Sequence, residues 1–257
     1  MVTVSLLNRS SIEEVFKFYA QDVFKDVFYP RDGNWVNNHL DKDIFFICIR
    51  IGAVKKLVAT AWMARLKNFV YLIIENNRLT MKNDGPYNYS GGWCILPEYR
   101  NQGLFRLLTA AVHRYWFDEI NKSEETVLWG RMVGQQDIDG QPLFWKAVGE
   151  SLTGLSYSDL RELPFAEKDR EIFLRWPKDP LPFDEIPQAV LQKTLGTVHE
   201  PLVGPLKGFI EWGFCELMNR YFPLYLNQFF VINRIGIKDP LFFDRALERT
   251  VHLSSNL

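Results

Sequence analysis

Hydrophobic positions along the chain change period repeatedly, and each change marks an element. Val2 to Leu6 alternates as a short strand. Ser10-Ser11-Ile12-Glu13-Glu14 then offers a hydroxyl cap before Val15, Phe16, Tyr19 and Val23, whose spacing predicts a first helix. The turn signal Pro30-Arg31-Asp32-Gly33 precedes a second helical piece over Trp35 to Leu40. Ile44 to Ile51, Lys56 to Ala64 and Phe69 to Glu75 are rich in β-branched and aromatic residues, with short polar breaks between them, as in an antiparallel meander. Asn83-Asp84-Gly85-Pro86 ends that run.

A strand over Gly92 to Leu96 follows, and then a helix over Leu104 to Phe117 that keeps Leu107, Leu108, Ala111, Val112 and Tyr115 on one face. Downstream the pattern predicts a strand at Thr126 to Val133, a helix at Leu143 to Leu152 and a strand at Glu171 to Trp176. Pro177, Pro180 and Pro182 make a link too short for a disordered spacer. Beyond it lie helices at Ile186 to Leu195 and Leu202 to Trp212, and a late strand at Gln228 to Ile235. No internal repeat interrupts this order. It reads as an α/β (α+β) core over residues 1–176 with a C-terminal α+β extension over 177–257.

One junction carries candidate chemistry. In Trp93-Cys94-Ile95-Leu96-Pro97-Glu98-Tyr99-Arg100-Asn101-Gln102-Gly103-Leu104-Phe105, an apolar strand passes through a proline turn into a helix opened by glycine. The first amides of a helix have no partner within it and point outward, so such a junction makes an anion cradle. Arg100 adds a charge-assisted donor, and Gly103 lets the main chain approach a bulky anion without a Cβ in the way. One glycine-opened helix alone is weak evidence for a phosphate site.

The flanks sharpen the picture. Residues Gly91 to Phe105 resemble the coenzyme A loop of the GNAT acyltransferase superfamily, in which a strand leads through Arg or Gln, two free positions, Gly, one free position and Gly or Ala into a helix. Phe105 departs from that pattern, with a large ring where a small residue is usual. Further on, Thr194-Leu195-Gly196-Thr197-Val198-His199 and Gly204-Pro205-Leu206-Lys207-Gly208-Phe209-Ile210-Glu211-Trp212-Gly213-Phe214 resemble the segment around the catalytic histidine of the bacterial arginine N-succinyltransferase family. Asp137-Ile138-Asp139-Gly140, Phe144-Trp145 and Gly149 fit the same family in order, and the likeness spans roughly residues 77–230.

That resemblance implies a GNAT-like core with a mixed, mostly antiparallel central sheet flanked by helices. It also implies an acyl-CoA co-substrate, or the phosphopantetheine arm of an acyl carrier protein, and transfer of the acyl group to the amino group of a small molecule. No tightly bound cofactor is implied. The donor site would comprise Trp93, Cys94, Ile95, Arg100, Asn101, Gln102, Gly103, Leu104 and Phe105. His199, contributed by the extension, would be the acid/base, since imidazole titrates near neutrality. Arg131 stands where the family, as aligned, has a glutamate suited to a cationic substrate. The reversed charge favours an anionic group on the acceptor and disfavours arginine itself. Trp93 replaces a smaller apolar residue near the acyl group, which would shorten the acyl pocket.

Composition excludes more than it proposes. The net charge of −1 among 257 residues shows no basic excess for nucleic acid, and no apolar run is long enough to span a membrane or act as a leader. Cys48, Cys94 and Cys215 are odd in number and far apart, which fits a reduced, cytoplasmic compartment and neither a disulfide framework nor a thiolate metal site. No HExxH or other ligand spacing suggests a metal. Cys94 reads as a small buried hydrophobe, and Asp137 and Asp139 as turn chemistry. His39, His113 and His252 read as surface or packed residues. The 20 Phe, 10 Tyr and 8 Trp predict a firm core, with rings to spare for a pocket or a homo-oligomer contact. The rival reading is a non-catalytic GNAT-fold binding or scaffolding protein whose coenzyme site is closed by Phe105. A third is a different reaction on a related thioester, such as hydrolysis or C–C bond formation.

Overall fold

The computed structural model describes residues 2–7, 12–21, 44–116, 127–163, 165–211, 215–217, 221–222, 229–233 and 246. The helical piece expected over 35–40 lies outside them, as do His39 and His252. In chain order the first strands are β1 (Val2–Leu7), β2 (Phe45–Ile51), β3 (Lys56–Leu66), β4 (Phe69–Glu75), β5 (Arg78–Asp84) and β6 (Tyr87–Ile95). Then come β7 (Val127–Arg131), β8 (Leu181–Pro182), β9 (Cys215–Leu217), β10 (Tyr221–Phe222) and β11 (Phe229–Asn233). The helices are α1 (Ile12–Tyr19), α2 (Leu104–His113), α3 (Glu150–Thr153), α4 (Tyr157–Glu162), α5 (Phe165–Arg175), α6 (Gln188–Thr194) and α7 (Val203–Glu211).

Two sheets form. The larger has the order β1-β2-β3-β6-β7-β11-β9, and the smaller β10-β4-β5-β8. Every pairing is antiparallel except β6 with β7. This is the mixed, mostly antiparallel sheet flanked by helices that the sequence led us to expect.

Two local readings need correction. The stretch from Glu171 to Trp176 is helical, the last turns of α5 leading into Trp176. Ile172 and Trp176, four apart, are both buried, and Arg175 pairs with Glu171 at 3.4 Å across one turn. A short apolar run does not separate strand from helix by period alone. Strand β5 went unread because Arg78, Lys82, Asn83 and Asp84 are exposed and only Leu79 and Met81 are buried. Its signal was the pair Asn76-Asn77, both left-handed (φ 50° and 58°), which closes the two-residue hairpin between β4 and β5.

Apolar burial divides between two cores. The first lies on the larger sheet, where α1 brings Phe16 against Phe46 and α2 packs Leu107, Leu108 and Ala111. The second gathers Leu72 and Leu79 of the smaller sheet with Phe144, Trp145, Leu160, Ile172, Trp176 and Leu191. It therefore draws on residues from both sides of position 176.

Strand β6 is the contact between these layers and the site, and two glycines shape it. The Trp62 ring lies so close that a Cβ on Gly91 would sit 2.7 Å from it. Gly92 is left-handed (φ 61°), and its carbonyl accepts a 2.6 Å hydrogen bond from the Tyr19 hydroxyl. A Cβ there would collide with that hydroxyl and with Trp62. Gly92→Ala is therefore expected to destabilise the fold by about 2–4 kcal/mol, combining left-handed strain with overpacking. Denaturant unfolding would measure it.

Candidate functional site

The junction before α2 is built for a sharp reversal. Leu96 leaves the strand, and the turn Pro97–Tyr99 closes with the Tyr99 amide donating to the Leu96 carbonyl at 2.9 Å and the Arg100 amide to Pro97 at 3.1 Å. Asn101 and Gly103 are left-handed (φ 59° and 79°), after which the Leu107 amide reaches the Gly103 carbonyl at 3.1 Å and the helix begins. No side chain caps this start, and the space a Cβ on Gly103 would occupy has no atom within 4 Å. The outward amides of the first turn thus meet open space at Gly103.

Side chains brace the turn. The Gln102 amide group donates to the Glu98 carbonyl at 3.0 Å, and the Glu98 carboxylate pairs with Lys56 at 3.1 Å. Its own main-chain amide first, and Lys56 next, hold that carboxyl below the usual range. Arg100 donates through Nε to the Ile95 carbonyl at 3.2 Å, which lays its guanidinium along the strand end. Leu104 is buried and seats the helix.

Phe105 packs against aromatic rings of β6 and α7. Its ring lies 6.2 Å from Trp93 and 4.9 Å from Phe209 of α7, and Trp93 lies 5.4 Å from Phe209. These three rings make one aromatic wall beside the junction. Trp93 Nε1 is enclosed and has no hydrogen-bond partner among the described residues.

Behind that wall, β6 and β7 part. In their parallel pairing the register position among the described residues is Tyr89 opposite Trp129; β7 then runs alongside β11, with Gly130 and Arg131 opposite Phe230 and Phe229. On its other edge β6 bulges, because Thr60 faces Cys94 and Trp62 faces Gly91, leaving Gly92 and Trp93 opposite one residue of β3. A bulge takes a main-chain amide out of the ladder and re-aims it. The Tyr89 phenol hydrogen-bonds the Arg131 main chain, and burial pushes that phenol up to about 12.

The exit of β7 also anchors the histidine. The His199 amide donates to the Val133 carbonyl at 2.8 Å, and Gln135 Nε2 donates to the Val198 carbonyl at 2.7 Å. His199 leads the short turn Glu200–Leu202 into α7, and its Nδ1 is enclosed without a partner among the described residues. Arg131 is half-buried two residues before Val133. Asp169, on α5, lies within reach of its charge. The carboxyl of Asp169 is pushed up to about 6 by burial, against the pull of Arg131 and Lys168.

Other candidates fall into structural places. Cys94 is buried in the first core and burial drives its thiol well above the usual range, so it is no ready nucleophile. Asp137 accepts from the amides of Asp139 and Gln141, each at 2.9 Å, and pairs with Lys146 at 2.8 Å. It holds a turn. Among the described residues no group of three or more His, Cys, Asp or Glu could hold a metal ion, and no helix is long and apolar enough to cross a membrane. Sequence reasoning missed Tyr89, Gln135, Asp169 and Phe209. Tyr89 and Asp169 carry no motif, and only the fold brings them to Arg131.

No protein-family profile and no curated sequence matches the chain. Among solved structures it is similar to the arginine/ornithine succinyltransferase subunit AI from Pseudomonas aeruginosa, with a TM-score of 0.57 at 12% identity over 95% of this chain and 79% of that one. At that identity the shared property is the fold. A spermidine N-acetyltransferase chimera from Vibrio cholerae and hSSAT aligns over 51% of this chain and 70% of its own, at 15% identity and a TM-score of 0.28, too loose to bear on the site.

The half-buried acid at position 169 has a signed consequence for stability. Its folded value of about 6 lies above its ordinary 3.8, so its burial costs nothing at low pH. The cost then grows as pH rises from about 4 through about 6. The stability of the wild type relative to Asp169→Asn should therefore fall across that window and stay flat above about pH 7. Urea unfolding of both proteins from pH 4 to pH 8 would check the sign.

Proposed function

We propose that this chain is an N-acyltransferase that moves an acyl group from a coenzyme A thioester, or from a carrier protein's phosphopantetheine, to the amino group of a small molecule. The observation that carries the reading is the uncapped start of α2, opened by left-handed Asn101 and Gly103, beside strands β6 and β7 where they diverge. The fold shared with a succinyltransferase subunit agrees with it.

Each part then has a task. The amides of Gln102, Gly103 and Leu104, with Arg100, bind the diphosphate or phosphate. The pantetheine arm runs from there toward the gap between β6 and β7. The amide freed by the bulge at Gly92 and Trp93 polarises the thioester carbonyl, where negative charge develops as the amine attacks. The C–N bond forms and the C–S bond breaks. His199 takes the proton from the attacking nitrogen and returns it to the departing sulfur. Its unpartnered Nδ1 leaves a lone pair or proton available for that exchange. Trp93 bounds the acyl pocket and favours a short acyl group. Arg131 favours an acceptor that carries an anionic group and disfavours guanidinium. No motif signals a bound cofactor, and the compartment that best fits the free thiols of Cys48 and Cys94 is a reducing cytoplasm.

The aromatic wall is what supports the rival, a scaffold in which Phe105, packed on Phe209 of α7, closes the coenzyme site. Calorimetric titration separates the two. Coenzyme A, acetyl-CoA and succinyl-CoA are expected to bind the wild type, and Gly103→Asp, which sets a carboxylate in open space at the helix mouth, should weaken binding at least about tenfold without unfolding the protein. An unresponsive wild type, tested also with a phosphopantetheine-loaded carrier, would sink the reading. In acyl transfer to a panel of amines, His199→Gln should lower kcat by about 10²–10³ with the KM of the donor little changed.

A further inference from the structure

Segment 136–142 has a feature that acyl transfer does not use. It folds back on itself through a bridge between Gln136 and Pro142, and Ile138 stands near its tip, fully exposed. Single exposed apolar side chains are ordinary on a protein surface. This one has a rigid mount. The Asp137 carboxylate accepts from the amides of Asp139 and Gln141, the Asp137 amide donates to the Gln141 carbonyl at 2.9 Å, and the Gly140 amide donates to the Asp137 carbonyl at 3.0 Å. Left-handed Gly140 (φ 75°) completes the turn, and Lys146 clamps it through Asp137 at 2.8 Å. An apolar side chain on a backbone fixed in this way has already lost much of the freedom that binding would remove.

The same ion pair ties the turn to a groove. Lys146 lies on the π-helical turn Trp145–Gly149, which packs with α6 on the second core. Between them runs an open groove of about 270 Å³ lined by Leu143, Lys146, Ala147, Ala189, Val190 and Lys193. Its walls are hydrocarbon, and its two ammonium groups are not equivalent. Lys146 is taken by Asp137, whereas Lys193 is exposed and makes no ion pair among the described residues. The tip has the opposite charge. Asp139, next to Ile138, is exposed and likewise without an ion pair among the described residues. One face thus offers an apolar knob flanked by a carboxylate, and beside it an apolar groove flanked by an ammonium.

We propose that this face pairs two copies of the chain about a twofold axis, with Ile138 of each copy seated in the groove of the other and Asp139 of each against Lys193 of the other. A twofold contact requires every copy to present both halves of the interaction on one surface, and this face does. A small ligand would account for the groove and leave the braced knob and its carboxylate without a role. The inference does not rest on the acyltransferase reading.

Sedimentation equilibrium of the full chain tests it, at concentrations up to about 1 mM because so small a contact associates weakly. The wild type is expected to form dimers and nothing larger. Ile138→Asp should raise the dissociation constant of the dimer at least about tenfold, and so should Ala147→Trp, which fills the groove from an exposed position. Asp139→Lys and Lys193→Asp should each weaken the dimer. Mixed one to one, these two variants should pair more tightly than either does alone, because every Lys–Lys or Asp–Asp contact becomes a Lys–Asp contact. That gain between chains cannot arise from a folding defect within one, and melting curves check each variant besides. A wild type that stays monomeric or forms larger assemblies, a dimer indifferent to Ile138→Asp and Ala147→Trp, or a mixture that gains nothing would overturn the proposal. A monomeric wild type that takes up hexanoate in calorimetry would also overturn it, and would make the groove a small-ligand site.

Discussion

The site depends on one failure of pairing. Parallel strands β6 and β7 meet in register at Tyr89 and Trp129, and then the bulged β6 and the β11-bound β7 go separate ways. A sheet that stayed zipped would satisfy its amides internally and leave nothing for a ligand. Parting requires other partners for both strands, and the chain provides them. Tyr19 takes the Gly92 carbonyl, Tyr89 bridges to the Arg131 main chain, and the His199 loop takes the Val133 carbonyl. Each of these bonds holds the gap open and also delivers a residue to its edge.

The junction entering α2 was legible because its chemistry is local. A proline turn, an arginine and a glycine within a few residues dictate an uncapped helix start wherever the chain goes next. The main strands and α1, α2, α6 and α7 were legible for the same reason, through period and caps. The smaller sheet was not. Its β5 is mostly polar on the surface, its β8 is two residues long, and its helix α5 ends in a run that alternates as readily as it spirals. Asp169 lay beyond sequence reasoning altogether: one acid among Glu167, Lys168 and Arg170 gives no sign that it is half-buried within reach of the Arg131 charge.

The departure at Phe105 looks different once its ring is placed. A large residue at the second position of the helix would be expected to fill the mouth. Instead the ring leans on Trp93 and Phe209, and Gly103 still faces open space. A small residue is needed at that position only where the ligand crosses the helix directly over it. An aromatic wall that moved a ligand's path toward Gly103 would relax the requirement. It also explains why α7 is apolar on the side facing the junction, with Phe209 fully enclosed and Leu206 partly so.

The two layers then divide the labour in a way their cores make physical. The first core fixes everything that would touch a donor: the turn at Pro97–Tyr99, the start of α2, the bulge and the wall. The second core lies under α5, the helix that carries Asp169. Tight packing transmits displacement, and β4 joins the two cores, giving Phe69, Tyr71 and Ile73 to the first and Val70 and Leu72 to the second. A change in the second core, such as truncating Ile172 beside Trp176, would thus act first on α5 and reach the turn before α2 only through β4.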